Sequence, residues 1–97
     1  MLKALENAAI LAGLASLPGW RYEEGKLIKD NELRNFSEAL SFIVQVGLIA
    51  EKQDHHPEIL NNYRRVTLKL STHDCGGKVT EKDLTLARTL QLLCAHD

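Results

Sequence analysis

Apolar residues recur along this chain with two spacings, one typical of helices and one typical of strands. Residues 2–16 are rich in Ala and Leu and are apolar around most of a helical circumference. This pattern predicts a first helix over that range. Pro18 and Gly19 follow and predict its end, because neither residue continues a helix well.

The next segment predicts two strands joined by a tight turn. Trp20 and Tyr22 alternate with charged residues, a turn follows at Gly25, and a second apolar stretch begins at Leu27. Residues 29–32 are polar throughout, which is unusual for a strand with a buried face. We therefore expect the second strand to lie at an exposed edge of the sheet or to contain a bulge.

Residues 35–52 predict a long second helix with more apolar surface than one small sheet can bury. Asn35 precedes Glu38 by three residues, an Asn version of the capping box that marks a helix start. Two adjacent apolar stripes follow, the first formed by Phe36, Leu40, Ile43, Gly47 and Ala50, the second by Ala39, Phe42, Val46 and Ile49. The surplus surface favours a partner helix, and a deeply buried helix in a monomer is the alternative.

The final third of the chain predicts one more strand and one more helix. Residues 65–71 alternate, with apolar side chains at the even positions. If this strand persists to His73, that side chain faces away from the core, because it shares the parity of the polar positions. Thr80 and Asp83 form a capping box for a third helix that runs to about Ala95.

The spacing alone gives the order α-β-β-α-β-α in a single domain of residues 1–97. Hairpins and separated helices predict an α+β fold with an antiparallel sheet and helices packed on one face.

Titratable side chains are concentrated where the second helix must end. His55 and His56 precede Pro57, which fixes its own φ and pushes the residue before it toward an extended conformation. His73 lies just before a Gly-rich turn. We therefore expect three imidazoles in one pocket. A zinc site formed by His55, His73 and Cys75 is disfavoured, because the sequence has no tight ligand pair of standard zinc spacing.

Composition excludes several classes of function. A formal net charge of -1 leaves no basic excess, so nucleic acid is a poor direct partner. Cys75 and Cys94 form no C-x-x-C pair, which indicates reduced thiols in a cytoplasmic protein. The apolar run of residues 8–15 is too short to span a membrane, and Glu6 argues against a signal peptide.

A constellation between residues 51 and 83 is the most specific feature of the sequence. It comprises Glu51, His55, His56, Pro57, Tyr63, Thr72, His73, Gly77, Thr80 and Asp83, with Ala87 beyond it. In this spacing the residues resemble the signature of the pterin-4a-carbinolamine dehydratase family. The similarity extends almost end to end, since residues 17–20 and the helix start at Asn35 also resemble that family.

The resemblance implies a four-stranded antiparallel sheet in the order α-β-β-α-β-β-α, so one short strand, expected around residues 54–56, escapes the periodicity. It also implies homodimers joined edge to edge through their sheets, and in some members homotetramers formed through helices. The sequence departs from the family at three places. Ile59 replaces an aromatic residue expected to form a pocket wall, residues 78–79 add a residue that would loosen the alignment of Asp83, and residues 30–32 are polar.

The resemblance implies a hydro-lyase that dehydrates 4a-hydroxytetrahydropterin to quinonoid dihydropterin and so recycles the pterin of aromatic amino acid hydroxylation. The pterin is the substrate, and no metal or redox cofactor is implied. By the same resemblance His55 and His73 are acids toward hydroxyls on opposite pterin faces, and His56 is a base or a binder. The other implied site residues are Glu51 and Asp54 as orienting carboxylates, Thr72, Cys75 and Pro57 as pocket-shaping residues, and Asp83, for which a purely capping role is the alternative.

A binding module is the rival from another class. Members of this family also act as dimerisation cofactors of transcription factors, and relatives are associated with enzyme assembly or molybdopterin metabolism. An aromatic amino acid hydroxylase or a regulatory protein is therefore a conceivable partner, whereas direct nucleic acid and membrane partners are not expected. Ile59 favours this rival, while the retention of all three histidines favours the enzyme.

Overall fold

The computed structural model describes residues 2–94, in which three helices and four strands form an α+β fold. The elements are α1 (Asn7–Leu14), β1 (Arg21–Glu23), β2 (Lys26–Glu32), α2 (Phe36–Gln53), β3 (Glu58–Asn62), β4 (Arg65–Leu70) and α3 (Glu81–Cys94). A 3-10 turn, His73–Cys75, lies between β4 and α3. The order α-β-β-α-β-β-α is confirmed. Residues 95–97, which include the predicted helix end at Ala95, lie outside the described part.

The sheet is antiparallel throughout and has the strand order β1-β2-β4-β3. The polar strand β2 therefore lies in the centre, and its register with β4 is unbroken from Leu27 opposite Leu70 to Glu32 opposite Arg65. The prediction of an edge position or a bulge was wrong. Pattern alone could not place β2, because strand order depends on pairing between segments distant in the sequence.

The polar residues of β2 are tolerated because those on the helix side of the sheet find partners. Lys29 is buried, and its Nζ donates a hydrogen bond to Gln91 Oε1 at 3.2 Å. Asn31 is buried as well, and its side-chain amide donates to the backbone oxygen of Val66 at 3.3 Å. Satisfied polar groups can be buried at modest cost, whereas unsatisfied ones cannot.

The fourth strand is β3 at residues 58–62, not at residues 54–56 as expected. Asp54 instead ends α2 in a left-handed conformation, with φ of 51°. β3 forms an edge of the sheet and is exposed except for the half-buried Ile59. An edge strand with so little burial carries no clear alternation, which explains why periodicity missed it.

The hydrophobic core lies between one face of the sheet and the three helices. Its fully or nearly fully buried members include Leu27, Val66, Leu68 and Leu70 from the sheet, Ala39, Phe42 and Val46 from α2, and Leu84, Leu86, Ala87 and Leu90 from α3. The predicted alternation in β4 is confirmed, because its even-numbered residues are all buried. The opposite face of the sheet carries ion pairs, among them Arg21 with Asp30 at 3.0 Å.

The first helix begins at Asn7, later than predicted. The backbone amide of Leu5 donates a hydrogen bond to Val79 O at 2.9 Å, so the preceding residues join the loop before α3. Ile10 is the buried residue of α1, and Gly13 lies so close to Leu84 that an added Cβ would be 2.8 Å from its Cδ2. Ala and Leu content therefore overestimated the helix length. Among residues 2–94, no helix combines the length and the apolar character needed to cross a membrane.

The second helix buries one apolar stripe and exposes another. Ala39, Phe42, Val46 and Ala50 pack inward. Four large apolar side chains at least 45% exposed form a continuous line on its outer surface, and we call them the α2 ridge: Phe36, Leu40, Val44 and Leu48. The predicted surplus of apolar surface is thus present. Its members differ in part from the predicted stripes, because Ile43 and Gly47 are half-buried.

Candidate active site

A cavity of about 300 Å³ opens where α2 ends and α3 begins. Its lining residues are Asp54, His55, His56, Ser71, Thr72, His73, Asp74 and Lys82. The structure thus brings the three predicted histidines together around one space, although they come from two segments of the chain. A larger cavity of about 740 Å³ at the other end of α2 contains no histidine, and its arginines Arg34 and Arg64 form ion pairs with Glu38 and Glu32.

The end of α2 positions His55. The amide of Asp54 donates to Glu51 O, and the amide of His55 donates to Ala50 O, both at 3.1 Å. This pair of bonds is a Schellman motif with Asp54 in the left-handed position that Gly usually occupies. The motif turns the chain sharply, and the side chain of His55 lies inside the protein with only 9% of the residue exposed. As predicted, the following residues up to Pro57 are not helical.

His73 lies beyond the strand that was expected to carry it. β4 ends at Leu70, and Thr72 then makes an isolated bridge in which its amide donates to Lys78 O at 2.8 Å. Gly76 and Gly77 have φ values of 70° and 77°, which side chains with a Cβ rarely adopt. The prediction of the direction of His73 assumed that the strand extends to this residue. That assumption was wrong, since His73 begins a 3-10 turn. Its side chain is nevertheless exposed and borders the cavity.

Behind the cavity wall lies a buried hydrogen-bond network centred on Asp83. Oδ1 of Asp83 is 2.5 Å from His55 Nε2. Its Oδ2 accepts hydrogen bonds from Thr72 Oγ1 and from the amide of Thr80, each at 2.8 Å. Asp83 has no exposed surface, so it lies behind His55 and not on the surface that a ligand would contact. The predicted capping box of Thr80 and Asp83 is confirmed, because the Thr80 amide donates to the Asp83 carboxylate.

His56 has a different environment. Its Nε2 lies 2.7 Å from Glu51 Oε1, and the side chains are 58% and 79% exposed. Glu51 therefore orients His56 from outside the cavity, whereas the expected orienting carboxylate Asp54 is part of the wall. The pairing with Glu51 is consistent with the orienting role expected for that residue, but water competes for an exposed pair.

Of three other expected site residues, Pro57 and Cys75 lie outside the cavity and Thr72 lines it. Pro57 is half-buried and does not line the cavity. Cys75 is also half-buried, and its Sγ lies 3.8 Å from Leu2 O. Thr72 lines the cavity, although its hydroxyl is committed to Asp83. Within residues 2–94, no group of three or more His, Cys, Asp or Glu side chains is arranged to hold a metal ion.

The residues of two expected departures, Ile59 and residues 78–79, do not line the cavity. Ile59 pairs with Leu68 in the sheet and packs against the core, and it is absent from the residues that line the cavity. The expectation that residue 59 forms a pocket wall was therefore wrong. At the positions of the additional residue, Val79 is buried and Lys78 bridges to Thr72, and Asp83 accepts the hydrogen bond of the Thr80 amide as a capping residue does.

Sequence reasoning missed Lys82, Ser71 and Asp74 on the cavity wall. Lys82 and His55 also line a second cavity of about 340 Å³, together with Leu2, Gln53, Glu81 and Thr85. The position of Lys82 next to Asp83 in the first turn of α3 was the available signal. Lys82 reaches the cavity because the start of α3 packs against the end of α2, a contact that the sequence does not specify.

Comparisons with known proteins agree with this fold and identify the family that the sequence matches. The sequence profile of the family described as Pterin 4 alpha carbinolamine dehydratase matches residues 3–93. A provisionally named pterin-4-alpha-carbinolamine dehydratase of Opitutus terrae is 47% identical over 87 residues, which are 90% of each chain. A relative with the same provisional name from Rhodopseudomonas palustris is 43% identical and covers 99% of this chain and 96% of its own.

Among solved structures, a protein of Brucella melitensis described as a transcriptional coactivator/pterin dehydratase superposes with a TM-score of 0.84 at 36% identity. The match covers 92% of this chain and 96% of that one.

Proposed function

Because this chain belongs to the pterin 4 alpha carbinolamine dehydratase family, we propose that it dehydrates a 4a-hydroxytetrahydropterin to the quinonoid dihydropterin. The observation that supports this activity is the convergence of His55, His56 and His73 on one cavity. A scaffold that acts only through its surface has no need of three convergent imidazoles. The bicyclic pterin is the substrate, and the proposed reaction calls for no resident cofactor.

The reaction is an elimination of water that needs one acid and one base. The C4a–O bond breaks, and a proton must be supplied so that the hydroxyl leaves as water. The proton on N5 must be removed, and the electron pair that this releases forms the C4a–N5 double bond. Imidazole serves both steps, since its unperturbed pKa of about 6.5 keeps donor and acceptor forms populated near neutrality.

Each histidine receives a role from its position. His55 and His73 reach the cavity from the end of α2 and from the 3-10 turn, so we assign them as acids toward hydroxyls on opposite faces of the pterin. His56 is paired with the exposed Glu51 at the rim, which suits a base or a substrate-binding residue. Asp54 and Lys82 supply further polar groups on the wall. General acid–base catalysis of this kind typically contributes about 10² to 10⁴ in rate.

The second candidate is a non-catalytic binding module that acts as a dimerisation cofactor, as an assembly factor or in molybdopterin metabolism. It is favoured by the α2 ridge, which presents a line of apolar side chains suited to another helix. The description of the Brucella melitensis structure as a coactivator as well as a dehydratase points the same way. In this reading the partner is a regulatory protein or a hydroxylase, and in both readings the expected compartment is the cytoplasm.

A dehydration assay separates the two candidates. Stopped-flow absorbance follows the decay of the carbinolamine with the protein, with buffer and with free imidazole at a matching concentration. Faster decay with the protein than with either control supports the enzyme. A rate equal to the controls would remove the enzymatic proposal and leave the binding module.

A further inference from the structure

The carboxylate of Asp83 is surrounded by groups that donate. The amide of Thr80 can only donate, and it points at Oδ2. Thr72 donates its hydroxyl proton to the same oxygen and lies 2.6 Å from the hydroxyl of Thr80. The Thr80 hydroxyl in turn accepts from the amide of Lys82 at 3.2 Å. The Lys82 amide thus donates to the Thr80 hydroxyl, the Thr80 hydroxyl donates to the Thr72 hydroxyl, and the Thr72 hydroxyl donates to Asp83. An ionised Asp83 carboxylate gives each of these donors an acceptor.

An ionised Asp83 fixes where His55 carries its hydrogen. Oδ1 of Asp83 lies 2.5 Å from His55 Nε2, and two lone pairs at that distance would repel each other. Nε2 must therefore be protonated and donate to the carboxylate. In the neutral ring this leaves Nδ1 without a proton.

The other ring nitrogen of His55 is accessible. Within residues 2–94, no buried side-chain nitrogen or oxygen atom lacks a hydrogen-bond partner. The hydrogen bond of the His55 side chain is the one made by Nε2. Since Nδ1 has no partner, it must have accessible surface, and His55 lines both the histidine cavity and the adjacent second cavity.

We infer that Asp83 is a positioning residue that holds His55 in the Nε2–H tautomer, so that Nδ1 is the atom that exchanges a proton with the substrate. The exchange with substrate rests on the proposed function, whereas the tautomer does not. Neutral His55 accepts a proton at Nδ1, and the imidazolium returns it from the same atom without rotation of the ring. Thr72 supports the geometry by holding Oδ2.

Asp83→Asn should invert the tautomer. The Thr80 amide cannot change from donor to acceptor, so the oxygen of Asn must face Thr80 and its NH₂ group must face His55. Nε2 then accepts, and neutral His55 carries its hydrogen on Nδ1. With Nδ1 already protonated and Nε2 held by the Asn amide, the ring cannot gain at Nδ1 the second proton that it must carry to act as an acid toward the hydroxyl. We expect kcat to fall by about 10²-fold or more with KM little changed.

Long-range ¹⁵N–¹H correlation spectra identify the protonated nitrogen of each neutral histidine. The experiment uses wild type, Asp83→Asn and the matched control Glu51→Gln, which removes the carboxylate from exposed His56 and leaves His55 untouched. We expect Nε2–H for His55 in wild type and in the control, and Nδ1–H in Asp83→Asn. The tautomer of His55 in the wild-type protein tests the inference even if the Asp83→Asn protein does not fold.

A wild-type His55 with its proton on Nδ1 would overturn the inference, as would an unchanged tautomer in a folded Asp83→Asn protein. Equal kcat for wild type and Asp83→Asn would overturn the positioning role. If the tautomer inverts as expected but the wild-type protein does not accelerate dehydration, the proposed function is wrong. The inference that Asp83 holds His55 in the Nε2–H tautomer remains valid in that case.

Discussion

His55 and His73 border the same cavity with different degrees of freedom. His55 is nearly buried and held by a carboxylate, whereas His73 is exposed in a short 3-10 turn. A ring that is fixed before the substrate arrives loses less entropy on binding than one that must be ordered. We therefore expect His55 to be the more sensitive of the two to small geometric changes.

We predict that loss of either acid lowers the dehydration rate and that loss of both leaves little above the solvent background. His55→Gln is the better variant at that position, because Gln can still donate to Asp83, whereas Ala would leave a buried carboxylate with one partner fewer. The His55→Gln and His73→Ala variants should differ from each other in how their rates depend on the stereochemistry of the 4a-hydroxyl. The combined losses should be non-additive, since the residues act on one reaction.

Stopped-flow decay of each carbinolamine stereoisomer measures these rates, with circular dichroism as the test of folding. A folded double variant as active as wild type would show that the reaction occurs elsewhere.

Local signals in the sequence placed the starts of α2 and α3, whereas the start of α1 and the order of the strands depend on contacts between distant segments. Asn35 and Thr80 cap their helices as predicted, because each cap is made within four residues, for example the Glu38 amide to Asn35 Oδ1 at 2.9 Å. The central position of β2 and the register of β3 depend on β4, which no local pattern specifies. The start of α1 depends on a hydrogen bond from Leu5 to the distant Val79.

Some residues of the candidate site were predictable from local sequence signals and others were not. The histidines were identified because Pro57 and the Gly-rich turn mark the ends of α2 and β4 in the sequence. The burial of Asp83 behind His55 and the presence of Lys82 on the wall were not predictable. Both follow from the packing of the start of α3 against the end of α2.

On the open face of the sheet, we predict that Thr67→Val destabilises the protein at neutral pH and much less in acid. Thr67 lies opposite Asp30 and donates to its carboxylate at 2.6 Å. This bond is the main reason why the pKa of Asp30 lies below its ordinary value of 3.8, with Arg21 assisting. A carboxyl with a lowered folded-state pKa stabilises the protein above its unfolded pKa, and that contribution is lost as the pH falls through the folded value.

The expected loss for Thr67→Val is below about 1 kcal/mol, since solvent screens a side chain as exposed as Asp30. Urea unfolding across the acid range measures it, with Thr67→Ser as the control that keeps the hydroxyl. A difference between wild type and Thr67→Val that is the same at neutral pH and below the pKa of Asp30 would contradict the assignment.

Within residues 2–94, the α2 ridge is a conspicuous apolar surface, and β3 is, with β1, one of the two edge strands of the sheet. We predict that it forms a homodimer or homotetramer with the ridge of one copy against that of another, because a helix pair hides these side chains from water. Leu48→Glu should lower the mass measured by light scattering after size exclusion. Leu11→Glu is the matched control, since Leu11 is a comparably exposed Leu on α1.

A monomer mass for wild type at micromolar concentration would contradict the predicted assembly. An unchanged mass for Leu48→Glu would exclude the ridge as the contact. The contact would then be expected at the β3 edge, since an edge strand can pair with a strand of another chain.

Asp54 closes α2 in a backbone conformation that suits Gly, yet its carboxylate lies on the cavity wall. We therefore expect protein stability and ligand affinity to favour different residues at this position. Asp54→Gly should raise the melting temperature, with a gain of up to about 1 kcal/mol from relief of the left-handed conformation, and should raise KM for the pterin. A higher melting temperature with an unchanged KM would show that the carboxylate serves no ligand. If the melting temperature and KM both rise, selection of variants for thermal stability alone would favour Gly at position 54 and weaken pterin binding. Selection for turnover would instead keep Asp54 and the less stable end of α2.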